Sequence, residues 1–215
     1  MATYKGRDAK KYWDNDWKRK WNDVWWPASD FAEKTYPTMQ KENLKKILDI
    51  GSGNGRDSLY FAGKGLNVTA VDISESAISM LKKENKKNIK CFCRDVGNIE
   101  FPDNSFDVVY GHLILHYFTD KELKIIMSKI YRMLKSSGYL FVKCKSTKDP
   151  LFGKGEKIEE NTYFDGHLRH FFTEEYMQEI LKDFRILEIN EISLKKQTIG
   201  HKYKAAFIEA SVRKE

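Results

Sequence analysis

No run of about eighteen apolar residues occurs in the 215-residue chain, and its N-terminus is charged. A membrane-spanning helix needs roughly twenty predominantly apolar residues, so neither a span nor a secretory signal is predicted. Low-complexity segments and internal repeats are absent as well. An apolar content of 41% with 13% aromatic residues is typical of a folded protein. We therefore expect one cytoplasmic domain with a substantial core and no membrane partner.

Cysteine is scarce, and three cysteines do not make a disulfide framework. Cys91 and Cys93 alternate within a predicted strand and so share a face, while Cys144 lies in another strand. We expect all three to be buried core thiols and predict no metal site.

Acidic residues are fewer than basic ones, which leaves a net charge of +7 and raises the question of a nucleic-acid partner. Much of the excess is lysine in pairs on predicted helix faces, such as Lys82-Lys83 and Lys195-Lys196. The denser segment 5–20 is interleaved with acids. Scattered lysines are typical of a solvated surface, so a nucleic-acid partner is not favoured. The expected partner is a small molecule, and the protein is expected to be a monomer or a homodimer.

Three of the thirteen glycines stand together in segment 47–58, Ile-Leu-Asp-Ile-Gly-Ser-Gly-Asn-Gly-Arg-Asp-Ser. The apolar start predicts a buried strand, and residues 57–62 predict a helix. Glycine permits a tight turn and lets the backbone approach a ligand. The free N–H groups of the following helix would point at the same ligand. The segment therefore predicts a nucleotide-type site at the carboxyl end of a parallel strand.

The spacing of the glycines narrows the choice of ligand class. A dinucleotide fingerprint places its third glycine at the sixth position, where this chain has Arg56. Glycine comes one residue earlier, and Asp49-x-Gly51-x-Gly53-x-Gly55 resembles the first motif of class I S-adenosylmethionine (SAM)-dependent methyltransferases. The resemblance implies SAM as cofactor and methyl transfer as the reaction.

A second predicted strand, 67–71, is rich in β-branched residues and ends at Asp72. A carboxylate at this position can accept hydrogen bonds from both hydroxyls of a ribose. The alternative is that Asp72 caps the next helix, although Ser74 with Glu75 suits that role.

Two later strands complete the resemblance. Strand 89–94 ends in Asp95-Val96, and in the family this acidic position contacts the adenine amino group. Strand 106–110 precedes the segment that lines the methionine part of the cofactor in the family. The cofactor-binding residues implied are Asp49, Gly51, Ser52, Gly53, Asn54, Gly55, Asp72, Ile73, Asp95, Val96, Gly111 and His112.

The rest of residues 45–215, the predicted SAM-binding domain, fits the same topology. A helix opens with the capping box Thr119-x-x-Glu122 and leads into a fifth strand. Strands 184–192 and 204–212 are expected to form an antiparallel hairpin. The predicted fold is α/β, a doubly wound, seven-stranded, mostly parallel sheet closed by that hairpin. It resembles that of small stand-alone bacterial methyltransferases of the tellurite-resistance and thiopurine type. The residues that the helix is expected to bury are Ile125, Ile126, Ile130, Met133 and Leu134.

Residues 1–44 are predicted to be a helical lid segment. Trp13, Trp17, Trp21 and Trp25 recur every four residues and so follow one face of a helix. Most of them are expected to pack on the domain. A part that includes Tyr12 and Trp13 could instead close over the cofactor, where a ring near the sulfonium would gain ~0.5–2 kcal/mol of cation–π attraction. A second helix is predicted over 28–45.

A long connection, 146–171, leaves the carboxyl edge of the sheet, and connections of this size are usually functional. It holds Tyr163 and, within four residues, His167, Arg169 and His170. One interpretation is a polar turn whose histidines cap the next helix. The other is an acceptor pocket with Arg169 as an anion anchor, beside Tyr163, and a histidine near the transferred methyl.

Methyl transfer needs mainly alignment, which can lower a barrier by ~7–11 kcal/mol. No fixed triad is therefore expected. A base would help a hydroxyl or amine acceptor by ~10²–10⁴-fold, and the candidates are His116, His167 and His170. The alternative interpretation of His116 is that it is a buried core residue and not a base. The rival functions are a nicotinamide oxidoreductase, against which the glycine spacing argues, a non-catalytic SAM-binding regulatory protein, and an RNA or protein methyltransferase.

Overall fold

The computed structural model describes residues 8–20, 27–198 and 201–215. Helices and strands alternate along most of the chain. The helices are α1 Ala9–Lys20, α2 Asp30–Lys41, α3 Arg56–Gly63, α4 Glu75–Lys83, α5 Asp120–Met133 and α6 Glu174–Ile180. The strands are β1 Lys46–Ile50, β2 Asn67–Asp72, β3 Ile89–Cys93, β4 Phe106–His112, β5 Leu134–Lys145, β6 Glu156–Glu159, β7 Thr162–Asp165, β8 His167–His170, β9 Arg185–Thr198 and β10 His201–Arg213.

A seven-stranded sheet has the order β3-β2-β1-β4-β5-β10-β9. Neighbouring strands from β3 to β5 are parallel, and β10 is antiparallel to both β5 and β9. This confirms the predicted fold class, including the C-terminal hairpin. Because parallel strands end at one edge, the segments that follow β1, β2, β3 and β4 meet there.

The start and the buried face of α5 follow from its sequence. The side chain of Thr119 accepts from the backbone N–H of Glu122, and the Glu122 carboxylate accepts from that of Thr119, which confirms the capping box. Ile126, Ile130 and Met133 are buried, but Ile125 is 49% exposed. The expectation for Ile125 was wrong because consecutive helical residues point about 100° apart. Leu134 is buried as expected, but as the first residue of β5.

Helix α2 packs into the core instead of acting as a lid. Phe31, Ala32 and Met39 are at most 1% exposed and pack in one cluster with Ile47 of β1 and Tyr110 of β4. The predicted boundary at residue 44 stays a prediction, although α2 shares core contacts with β1 and β4. Trp21 and Trp25 lie outside the described residues, so the tryptophan stripe can be followed only through Trp13 and Trp17 of α1.

Cys144 is buried, but Cys91 is half-buried and Cys93 is exposed. The expectation of three core thiols was wrong because β3 is the edge strand of the sheet, where neither face is fully covered.

The connection after β5 contains a second, three-stranded sheet of order β6-β7-β8. Its strands are antiparallel and place Tyr163 opposite Arg169. Thr173 caps α6 through its own side chain, so His167 and His170 have no capping role. Across the described part of the chain, no helix is long and apolar enough to cross a membrane, and no group of three or more metal-ligating side chains occurs.

Candidate functional site

A cavity of about 230 Å³ opens at the carboxyl edge of the sheet. Most of the cofactor residues predicted from sequence line it. These are Trp13, Asp49, Gly51, Ser52, Gly53, Asn54, Asp72, Ile73, Asp95, Val96 and His112. The lining residues that were not among the predicted cofactor-binding residues are Trp17, Arg56, Asp57, Leu113, Ile114, Tyr117 and Phe118. Tyr12, Gly55 and Gly111 are not among the lining residues.

The three glycines after β1 have different surroundings. All have positive φ angles, 69° at Gly51, 55° at Gly53 and 84° at Gly55, which L side chains rarely adopt. A Cβ at Gly51 would lie 2.5 Å from the Ile114 side chain, and one at Gly53 would lie 2.5 Å from the Trp17 ring. A Cβ at Gly55 would meet Leu81 of α4, so this glycine serves helix packing.

Asp72, at the end of β2, connects two turns. Its Oδ2 accepts from the backbone N–H of Gly53 at 2.8 Å, and its Oδ1 accepts from that of Ser74 at 2.8 Å. Ser74 is the N-cap of α4, where its hydroxyl accepts from the backbone N–H of Ala77. Asp72 is thus not the helix cap, and its carboxylate lies in the wall of the cavity, where a ribose could reach it.

Two other polar groups suit an adenosine-type ligand. The Asp95 side chain accepts from the backbone N–H of Gly97 at 2.9 Å and shapes the turn Val96–Asn98 at the cavity. The hydroxyl oxygen of Ser52 is buried and lacks a hydrogen-bond partner among the described residues. A buried polar atom without a partner is costly, so this hydroxyl fits a site completed by a ligand. The glycine turn, Asp72, Asp95 and Ser52 together fit SAM.

Asp49 is a carboxylic acid that is buried in the protein. It is 2% exposed and accepts a hydrogen bond from the Ser58 hydroxyl. Burial, reinforced by the nearby carboxylates of Asp57 and Asp72, raises its pKa to about 8. Asp49 is therefore largely protonated at neutral pH in the ligand-free protein.

We expect Asp49→Asn to weaken the pH dependence of stability. The folded protein keeps the Asp49 proton up to about pH 8, whereas the unfolded chain releases it near pH 4. The stability contributed by the neutral acid is therefore complete below about pH 4 and is lost as the pH rises towards 8. Urea unfolding of the ligand-free protein at pH 5.5 and 8.5 should show a larger decrease for the wild type than for Asp49→Asn. Equal decreases would mean that Asp49 is already ionised.

Arg56 and His112 form a pair at one end of the cavity. Arg56 Nη2 lies 3.2 Å from His112 Nδ1. Burial lowers the pKa of His112 to about 4, so its ring is neutral and Nδ1 can accept from the guanidinium. The sequence pointed to Arg56 only as a departure from the dinucleotide spacing.

Asp57 connects the same end of the cavity to α2. Its carboxylate accepts from the Ser29 backbone N–H at 2.7 Å, the Ser29 hydroxyl at 2.8 Å and the Tyr110 hydroxyl at 2.9 Å. Ser29 is in turn the N-cap of α2. The first turn of α2 is therefore fixed to β4 and to the start of α3.

Helix α1 lies across the cavity. Trp13 and Trp17 both line it, and the Trp13 ring centroid is 4.7 Å from that of Tyr117. Tyr12 does not line the cavity and contacts His167, with ring centroids 5.0 Å apart. This places α1 against the small sheet as well as over the glycine turn.

The three candidate bases differ in position. His167 contacts Trp13 and Tyr117, with ring centroids at 5.2 Å and 5.3 Å. His116 is 1% exposed behind Tyr117, at 4.2 Å. His170 is held elsewhere, with Nδ1 3.3 Å from the Phe118 carbonyl oxygen and its ring between Phe172 and Tyr176. None of the three lines the cavity, but His167 contacts two of its lining rings, Trp13 and Tyr117, whereas His116 contacts only Tyr117 of these two.

The two predicted acceptor residues do not line the cavity. Arg169 forms an ion pair with Asp165 at 3.4 Å, with its own side chain 14% exposed. Burial raises the pKa of Tyr12 and of Tyr117, and the charge of Arg169 counteracts this rise. Tyr163 packs on Phe152, with ring centroids 5.4 Å apart.

Comparison with known proteins agrees with this geometry. Residues 48–142 match the family model described as a methyltransferase domain. Phosphoethanolamine N-methyltransferase 3 of Arabidopsis thaliana is 37% identical over 101 residues, which are 44% of this chain and 20% of that protein. The mouse tRNA N(3)-cytidine methyltransferase METTL6 is 23% identical over 214 residues, which are 91% of this chain and 76% of the relative.

Solved structures share the fold. TehB from Haemophilus influenzae superposes with a TM-score of 0.67 at 21% identity, covering 94% of this chain and 67% of that one. The Burkholderia thailandensis 1,6-didemethyltoxoflavin-N1-methyltransferase, solved with its acceptor and S-adenosylhomocysteine (SAH), gives 0.70 at 18% identity, covering 100% and 91%.

The chain thus has the class I methyltransferase fold, and its residues 48–142 match a methyltransferase domain, as the motifs predicted. The part matched to the Arabidopsis relative spans only about a fifth of that protein's length, 20%. The names of the two relatives give different acceptors, phosphoethanolamine and a cytidine of tRNA.

Proposed function

We propose that the protein transfers a methyl group from SAM to a small-molecule acceptor. The observation that carries this proposal is the cavity at the carboxyl edge, which combines the glycine turn, Asp72 and Asp95 with an aromatic wall. When bound, SAM supplies an electrophilic methyl group on a sulfonium centre. Asp72 would accept hydrogen bonds from the ribose hydroxyls, and Asp95 would accept one from the adenine amino group.

The acceptor is expected next to the four rings of Tyr12, Trp13, Tyr117 and His167. These rings come from α1, from the turn after β4 and from β8, and neighbouring centroids lie 4.7–5.3 Å apart. Two of them, Trp13 and Tyr117, also line the cofactor cavity. An acceptor held against this cluster would lie beside the methyl group, which is the alignment that methyl transfer requires.

His167 is the residue best placed to orient the acceptor. Burial, with help from the Arg169 charge, lowers its pKa to about 4, so the ring is neutral at physiological pH. Its Nδ1 is buried and has no hydrogen-bond partner among the described residues. A neutral ring nitrogen can accept from an N–H or O–H of the acceptor and turn a lone pair of that atom towards the methyl group. Arg169 could hold an anionic group of the same acceptor.

Two relatives suggest acceptor classes. Phosphoethanolamine carries an amine and a phosphate, which suit His167 and Arg169 respectively. An RNA acceptor is the second candidate, supported by the similarity to METTL6 along 91% of this chain and by the net charge of +7. The cytoplasmic location and the monomeric or homodimeric state also remain predictions.

The proposal is tested by incubating the protein with methyl-labelled SAM and, separately, a cell metabolite extract, phosphoethanolamine and total tRNA. Label transferred to a compound of the extract supports the small-molecule proposal. Transfer to tRNA alone would replace it with the RNA function. SAH binding without transfer to any of these would indicate a non-catalytic SAM-binding protein.

We expect His167→Gln to lower turnover with the acceptor by about 10²-fold, the lower end of the range for a positioned proton acceptor. SAH affinity should change less than twofold, because His167 does not line the cofactor cavity. His170→Gln is the matched control, since His170 is held by the Phe118 carbonyl and contacts neither the Trp13 ring nor the Tyr117 ring. Steady-state kinetics and calorimetry provide the two readouts. If His170→Gln loses more turnover than His167→Gln, the acceptor role belongs to the other histidine.

A further inference from the structure

The first turn of α4 receives a carboxylate from α1. Asp14 Oδ1 accepts from the backbone N–H of Ser76 at 2.8 Å and from the Ser74 hydroxyl at 3.1 Å. Asp14 Oδ2 forms an ion pair with Lys18 on the next turn of α1, at 2.8 Å. The Asp14 side chain is 18% exposed, so the contact is largely shielded from water.

Asp14 is ionised when it makes this contact. Lys18, together with the donors of Ser76 and Ser74, holds its pKa well below the usual range. A carboxylate at the N-terminus of a helix also gains from the helix dipole, and hydrogen bonds to a charged acceptor are stronger than neutral ones. A second link between the two helices, the Lys10–Glu75 ion pair, has side chains 50% and 68% exposed, so it contributes little.

Asp14 also fixes the position of the aromatic wall. Trp13 precedes it directly, and Trp17 follows one turn later, where its ring covers Gly53. The turn that Asp14 contacts, 72–76, begins with Asp72, which binds the Gly53 backbone N–H. Asp14 therefore links the helix that carries Trp13 and Trp17 to the turn that holds Asp72 and, through Asp72, Gly53.

We propose that Asp14 is a positioning residue that holds Trp13 and Trp17 over the bound cofactor and so determines how slowly the cofactor leaves. The inference rests on the proposed cofactor site. It adds to that site a residue that lies outside the cavity and outside the matched family segment 48–142. A ligand seated on Gly53 leaves past Trp17 only when α1 moves, and α1 moves when the Asp14 contact breaks.

The test measures SAH dissociation by stopped-flow tryptophan fluorescence on the full chain. Asp14→Ala should raise the dissociation rate constant at least tenfold, because both hydrogen bonds to α4 are lost. Asp14→Asn should give a smaller increase, since its amide oxygen still accepts from Ser76 but carries no charge. Glu75→Gln is the matched control: it removes the exposed ion pair between the same helices, and its rate constant should stay within twofold of the wild type.

The possible outcomes separate the two proposals. If the wild type does not bind SAH in calorimetry, the cofactor site itself is wrong. If the wild type binds SAH and Asp14→Ala releases it at the rate of Glu75→Gln, the positioning role is overturned. Thermal melting of the ligand-free variants identifies a folding defect. If Asp14→Ala melts at a lower temperature than the wild type, the dissociation rate constant of Asp14→Asn is used instead. A value equal to that of Glu75→Gln would again overturn the positioning role.

Discussion

Gly53→Val is expected to abolish measurable SAH binding. The backbone at Gly53 has a φ of 55°, which a β-branched residue adopts only with strain. Its new Cβ would lie 2.5 Å from the Trp17 ring, and the rest of the side chain would occupy the cavity. Isothermal titration calorimetry with SAH measures the loss.

Gly65→Val separates strain from occupancy of the cavity. Gly65 has a φ of 86°, so the same substitution strains its backbone as well, but a Cβ there meets nothing within 4 Å. This variant should melt at a lower temperature than the wild type and still bind SAH. If it loses binding to the same extent as Gly53→Val, the effect at Gly53 is one of stability, and the glycine turn need not contact the cofactor.

Asp72→Ala is expected to lower SAH affinity by about 10²–10⁴-fold. Two ribose hydrogen bonds to a charged acceptor, each worth ~1.5–3 kcal/mol, would be lost. The Gly53 and Ser74 backbone N–H groups would also lose their acceptor, so the glycine turn would be less well held. Calorimetry with SAH measures this, and NADH should give no binding signal with the wild type.

Asp107→Ala is the matched control for this change. Asp107 also accepts from two backbone N–H groups, those of Lys45 and Lys46, but it lies at the start of β4, at the opposite edge of the sheet. Its loss should reduce stability and leave SAH affinity close to that of the wild type. An Asp72→Ala variant that binds SAH as well as Asp107→Ala would refute the ribose assignment.

The sheet and the cofactor edge were predictable because their signals are local. Apolar strands, the glycines after β1 and the acidic residue that ends β2 each stand within a few residues of one another. The order of the strands then follows from the family resemblance. The capping box of α5 is local for the same reason, since both of its partners lie within one turn.

The remaining features depend on contacts between distant parts of the chain. Nothing near Asp14 in the sequence indicates Ser76, and Arg56 meets His112 only because α3 begins and β4 ends at the same edge of the sheet. Cys93 is exposed because β3 has one neighbour, which its own alternation pattern does not reveal. The small sheet was missed because its strands are only four residues each.

Although α1 and α2 are neighbours in the sequence, they belong to different energetic units. Helix α2 buries Phe31 and Met39, and its N-cap residue Ser29 donates twice to the buried Asp57 carboxylate, so removal of the capped helix would take away two of the hydrogen bonds to Asp57 and leave a hole in the core. Helix α1 contributes surface contacts and the tryptophan wall. Substitutions could therefore alter the residues facing the ligand on α1, and with them ligand residence, at little cost to folding. Helix α2, which the fold needs, and helix α1, which covers the ligand, can therefore diverge independently.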